Sequence, residues 1–109
     1  MVSALYGNTT ASNNVAVGYN TLASNTTGTR NVALGSTALD ANTTANDNTA
    51  IGNNSLGLNT TGSLNTALGS DALKTNTTGS NLTGIGYEAL RDNTTASNNT
   101  AIGRSAMLC

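Results

Sequence analysis

Few side chains here are able to do chemistry, and those few are out of step with one another. Histidine is absent from the 109 residues. No Ser-His or Cys-His pair can therefore form, and none of the many hydroxyls has an evident base to activate it. The acidic residues Asp40, Asp47, Asp71, Glu88 and Asp92 fall at unlike points of the chain's repeat and form no column. Asp40 with Asp47, or Glu88 with Asp92, share a coil at best and read as solvated surface. Divalent-cation sites in repeat proteins usually present acidic groups in every repeat, so neither a metal nor a cofactor is expected, and no enzyme. Gly84-Ile85-Gly86 makes a poor phosphate loop because no helix follows it.

Charge excludes further classes. Lys74, Arg30, Arg91 and Arg104 are scattered, and 4 basic against 5 acidic side chains leave a net charge of −1. That is too little positive charge to steer nucleic acid or an anionic membrane surface. No apolar run approaches the ~20 residues of a membrane span. Met1 to Tyr6 does not read as a secretion signal, so any export signal is expected outside this sequence. Cys109 is the one cysteine and has no internal disulfide partner. It reads as a crosslinking handle or a cut end, with a disulfide between subunits as the sharper alternative.

What must position these residues is a repeat. Glycine falls at 18, 35, 52, 69, 86 and 103, a period of 17 residues that runs through the whole of 1–109, about 6.4 units. A short fixed period means one small unit stacked on copies of itself. Asn, Thr, Gly, Ser and Ala dominate, as in polar disordered tracts, but the strict phase of the apolar residues argues for an ordered coil.

Before each glycine stands Val17, Leu34, Ile51, Leu68, Ile85 or Ile102, and two residues earlier Val15, Val32, Thr49, Thr66, Thr83 or Thr100. The residue between is small. This reads as a short strand with its large residue turned inward. Four residues after the glycine comes Leu22, Leu39, Leu56, Leu73, Leu90 or Met107, predicting a second short strand that also points inward. Glycine between the two permits a bend, and the Asn-Thr-Thr-Gly-Ser-Asn stretch returns the chain. Poor helix formers and only two large apolar positions per unit exclude a helical repeat.

The expected fold is all-β: a single-domain parallel β-solenoid, or β-roll, of about six 17-residue coils over 1–109. At ~4.8 Å between paired strands, six coils give a rod of about 29 Å. Its expected core is Val17, Leu22, Leu34, Leu39, Ile51, Leu56, Leu68, Leu73, Ile85, Leu90 and Ile102. With Ile51 inside, Ile51→Asp is expected to destabilise the rod, and Ser63→Asp to be tolerated. Asn8, Asn25, Asn42, Asn59, Asn76 and Asn93 recur in every unit. In register, their amides form a ladder of hydrogen bonds. Each also heads an Asn-Thr-Thr glycosylation sequence, which a buried ladder would close.

Asn-Thr-Ala-Ile-Gly at 48–52 and 99–103, Ala-Leu at 72–73 and 89–90, Val15-Ala16-Val17-Gly18 and Val32-Ala33-Leu34-Gly35 carry a resemblance. The chain resembles the head repeats of trimeric autotransporter adhesins of the YadA type. It is also similar to the Asn-Thr-Thr-Gly-Ser-rich repeats of bacterial and phage tail-fibre-like proteins, which often precede a self-cleaving chaperone domain. The resemblance implies a left-handed roll, three chains side by side, and a place outside the cell or on a cell or virion surface. It carries no binding residue, and its adhesin members commonly use a shorter repeat.

Two functional expectations follow. The first is a structural segment of an extracellular fibre, adhesin or filament, whose partner is itself, as a homotrimer or end to end. Both ends fall within the repeat, so the chain is expected to be an excerpt or a filament subunit. The second is ice binding by stacked threonines: Thr9, Thr10, Thr26, Thr27, Thr43, Thr44, Thr60, Thr61, Thr77, Thr78, Thr94 and Thr95. Thr-Thr in a turn faces two ways, which weighs against that second idea.

Overall fold

A computed structural model describes residues 3–108. Cys109 lies outside the described residues. The fold is a parallel β-solenoid with one strand per coil: β1 (Val15–Val17), β2 (Val32–Leu34), β3 (Thr49–Ile51), β4 (Thr66–Leu68), β5 (Thr83–Ile85) and β6 (Thr100–Ile102). They form one sheet in chain order. Register holds the repeat throughout, with Val15 opposite Val32, Val32 opposite Thr49, and so on to Thr83 opposite Thr100. The rod measures 35 × 22 × 17 Å.

The Ala-Leu leg is not a second strand. Its amides alternate between two uses. Thr21 and Asn25 donate to Gly18 and Leu22 three residues back, closing turns, whereas Leu22 donates to Ala38 of the next coil. Leu22, Leu39, Leu56, Leu73 and Leu90 have φ between 50° and 52°, a left-handed conformation that an extended strand cannot hold. Coil-to-coil bonding therefore survives on this leg without strand geometry.

The facing of the true strand reverses the expectation. Ala33, Ala50, Ala67 and Ala101 point inward and are buried. Val17, Leu34, Leu68 and Ile102 are exposed, and Ile51 and Ile85 only half-buried. All six, expected in the core, lie on the outer face. Alternate side chains of a strand take opposite faces, so one parity had to be outside, and interior width decided which. The opposite leg already fills the interior with fully buried Leu22, Leu39, Leu56 and Leu73 and nearly buried Leu90. A methyl is what fits beneath them: at Gly84 an added Cβ would lie 3.3 Å from Leu73 Cγ. The leucine half of the expected core is thus inside.

The glycine after each strand is required twice over. Gly35 and Gly52 have φ of 123° and 130°, where a side chain is strained. An added Cβ at Gly35 would also lie 2.8 Å from the carbonyl of Gly52 in the next coil. The glycines stack backbone on backbone.

Candidate interaction surface

The Asn-Thr-Thr corner is closed chemistry. Asn25 Nδ2 donates to Asn8 Oδ1 at 3.0 Å, Asn42 to Asn25 at 2.9 Å, Asn59 to Asn42 at 3.1 Å, Asn76 to Asn59 at 2.8 Å and Asn93 to Asn76 at 2.9 Å. Each amide spends its other hydrogen on a carbonyl three residues on, as Asn59 does on Gly62 at 2.8 Å. Asn25, Asn42, Asn59 and Asn76 are fully buried. The ladder expected from the sequence is present, and from Asn25 to Asn93 both hydrogens of each Nδ2 are engaged, which closes these amides to a glycosyl donor.

Two further polar ladders were missed. Asn14, Asn31, Asn48 and Asn65, just before each strand, accept the amide of the equivalent residue one coil on, at 2.9–3.0 Å. Their Nδ2 groups reach the carbonyls of Gly28, Ala45, Gly62 and Gly79 at 2.8–2.9 Å. Leu82 interrupts this ladder. In the third, Thr29, Asn46, Ser63 and Ser80 each donate their amide to a side-chain oxygen of the next coil, at 2.8–3.0 Å. The second was legible as a recurrence of asparagine every 17 residues. The third mixes Asn and Ser and carries no single-letter signal. Buried polar groups are tolerated only when bonded, and chains of such bonds polarise one another.

The paired threonines divide. Thr9, Thr26, Thr43, Thr60 and Thr77 donate their hydroxyls to the threonine carbonyl one coil on, at 3.1–3.4 Å. Thr10, Thr27, Thr44, Thr61, Thr78 and Thr95 are exposed, with Thr94 exposed beside the last of them. The amides of Thr26, Thr27 and Gly28 converge on the carbonyl of Thr43 at 3.0–3.3 Å, so the two threonines sit on a bend and face different ways.

Charged groups pair at the surface. Arg30 forks onto Asp47 one coil away, at 2.7 and 2.9 Å. That hydrogen bond raises the Arg30 pKa and holds the Asp47 carboxyl below its ordinary value. Arg91 bridges Glu88 at 2.6 Å and Asp92 at 3.1 Å. Burial pushes the Asp40 carboxyl up, and Asp71 buries one oxygen without a hydrogen-bond partner. Arg104 lies 5.7 Å from the centre of the Tyr87 ring. Among the described residues no three His, Cys, Asp or Glu side chains converge as metal ligands, and no helix is long and apolar enough to cross a membrane. The concavities are open notches, one of about 130 Å³ between Asp40 and Lys74 over Gly57.

What remains outward and unused is the sheet. One column holds Val15, Val32, Thr49, Thr66, Thr83 and Thr100, the other the six large aliphatics before the glycines. Exposure reaches 52% at Val15, 46% at Leu34 and 69% at Ile102. Neither column contains an ionisable side chain. No family model, no curated protein and no solved structure matches the chain.

Proposed function

We propose that the chain is a non-enzymatic structural segment of an extracellular fibre, adhesin or filament, at a cell or virion surface, whose working partner is another copy of itself. The observation that supports this most is where the polar side chains go. Three ladders and one sheet consume asparagine, serine and threonine groups in joining coil to coil, which gives a uniform rod. Nearest-neighbour stacking of this kind makes stiffness and length the property on offer. Light scattering behind a sizing column tests it, with and without reductant. Several copies per particle, persisting in reductant, are expected. A compact 10.9 kDa monomer that proteases cut readily would contradict the reading.

Ice binding is the second reading, and the column of exposed threonines from Thr10 to Thr95, one per coil, favours it. Its neighbouring column is already hydrogen-bonded to backbone. Thermal hysteresis decides the matter: a solution that freezes like buffer removes this reading.

A further inference from the structure

Nine Asn-x-Ser/Thr sequences occur in the chain: the six of the Asn-Thr-Thr corner, Asn53-Asn54-Ser55, Asn81-Leu82-Thr83 and Asn98-Asn99-Thr100. Such a sequence accepts an N-linked glycan where it lies at the surface. A transferase has to reach the asparagine amide and the hydroxyl two residues on together, so both must be outward. The fold sorts the nine by this condition.

In the corner the amide is spent on the ladder, as at Asn59, while the last threonine, Thr61, is exposed. Asn8, at the start of the ladder, is held by Asn25 and by the Ala11 carbonyl. At Asn53 the arrangement is the converse. The asparagine is exposed, but Ser55 is fully buried and gives its hydroxyl to the Ala67 carbonyl at 3.2 Å.

Asn81 and Asn98 meet both halves of the condition. Each is exposed, on the bend before a strand, with φ of 58° and 66°, a left-handed conformation that asparagine tolerates. Their backbone amides donate to Ser63 and Ser80 of the preceding coil. Their side-chain amides bond to nothing among the described residues, and nor do the hydroxyls of Thr83 and Thr100 on the outer face of the sheet. Leu82, between the first pair, is buried, and Asn99 holds the same place in the last coil. The earlier coils put Asn13, Arg30, Asp47 and Leu64 in this column, none of them heading an acceptor sequence.

We infer that Asn81 and Asn98 are the chain's glycan-acceptor sites, taking an oligosaccharide from a lipid-diphosphate donor, and that the six Asn-Thr-Thr sequences are not. Nδ2 attacks the anomeric carbon and loses a proton. The bond from that carbon to the diphosphate oxygen breaks, and the lipid diphosphate leaves with the electron pair. The inference goes beyond the fibre reading and rests on it only for export, where such donors are met. The two sites stand one row apart, ~4.8 Å, so a glycan on one crowds the other and each site is read in a single-site variant.

The test uses the folded chain made without glycans in a bacterial host, a purified single-subunit oligosaccharyltransferase and a lipid-linked oligosaccharide. Peptides covering 57–63 and 79–85 are the unfolded reference for a ladder site and an exposed site. Peptide mapping of the folded chain is expected to find glycan at Asn81 and Asn98 and none at Asn59 or Asn76. Asn81→Gln should leave modification at Asn98, Asn98→Gln should leave it at Asn81, and the double variant should take none. Glycan at Asn53 or on the ladder of a chain with the parent's circular dichroism would overturn the inference. So would a folded chain left bare at Asn81 and Asn98 while both peptides are modified. Light scattering on the same samples keeps the fibre reading separate: a monomer glycosylated at these two sites sinks that reading and leaves this one standing.

Discussion

The two legs of each coil solve opposite problems with the same few residue types. The leucine leg turns large side chains in, using a left-handed backbone at Leu22, Leu39, Leu56, Leu73 and Leu90. The strand leg turns its large side chains out and offers the interior only alanine or glycine. One leg supplies the volume of the core and the other its flat wall, so the rod stays thin and still keeps an aliphatic outer face. Side-chain size alone does not tell which way a strand faces. The space left by the opposite leg does.

Substitutions sharpen that contrast. Among truncations to alanine, the largest effect is expected at neither leg but at the corner between them. Asn59→Ala removes its bonds to Asn42 and Gly62 and the one it accepts from Asn76. Each buried group left unsatisfied costs about 1–3 kcal/mol, so the urea midpoint should fall further than for any single core truncation. Leu56→Ala on the leucine leg comes next, at about 2–5 kcal/mol for a fully buried leucine, read from the same unfolding curves. An Asn59→Ala midpoint close to the parent's would mean that the ladder is no more than solvated polar surface.

The smallest effect lies at Arg30 and Asp47. The folded carboxyl of Asp47 is held below its ordinary pKa. Its contribution is therefore complete above that ordinary value and is lost as pH falls through the depressed folded one. Both groups are at the surface, where such pairs count for little. Asp47→Asn should therefore change stability only slightly at neutral pH and should flatten the acid side of the stability profile. A large loss at neutral pH would place this pair inside the fold's energetics, against its geometry.

Much of this molecule was legible as period. Seventeen-residue spacing gave the solenoid, the parallel register, the asparagine ladder and the leucine column, because stacked identical units put like residues in contact. What the spacing could not carry was direction. Val-Ala-Leu at 32–34 alternates whichever way it faces, and a one-residue flip exchanges core for surface. The left-handed leucines were also hidden, since leucine is an ordinary strand or helix residue and its φ here is imposed by the neighbouring turns. The aliphatic outer face was hidden for the same reason: with Ile51 placed inside, none remained to be noticed.

Adjacent residues on β3 give the most direct test of this facing. Ala50→Asp and Ile51→Asp introduce the same charge one residue apart, the first into the fully buried wall and the second onto the outer face. Circular dichroism through a thermal ramp should show Ala50→Asp unfolded or melting far below the parent, because an unpaired charge there has no water and no partner. Ile51→Asp should keep the parent fold, with its loss confined to association. If instead Ile51→Asp unfolds the rod while Ala50→Asp melts like the parent, the large residues of the strand are the core and the outer face described here does not exist.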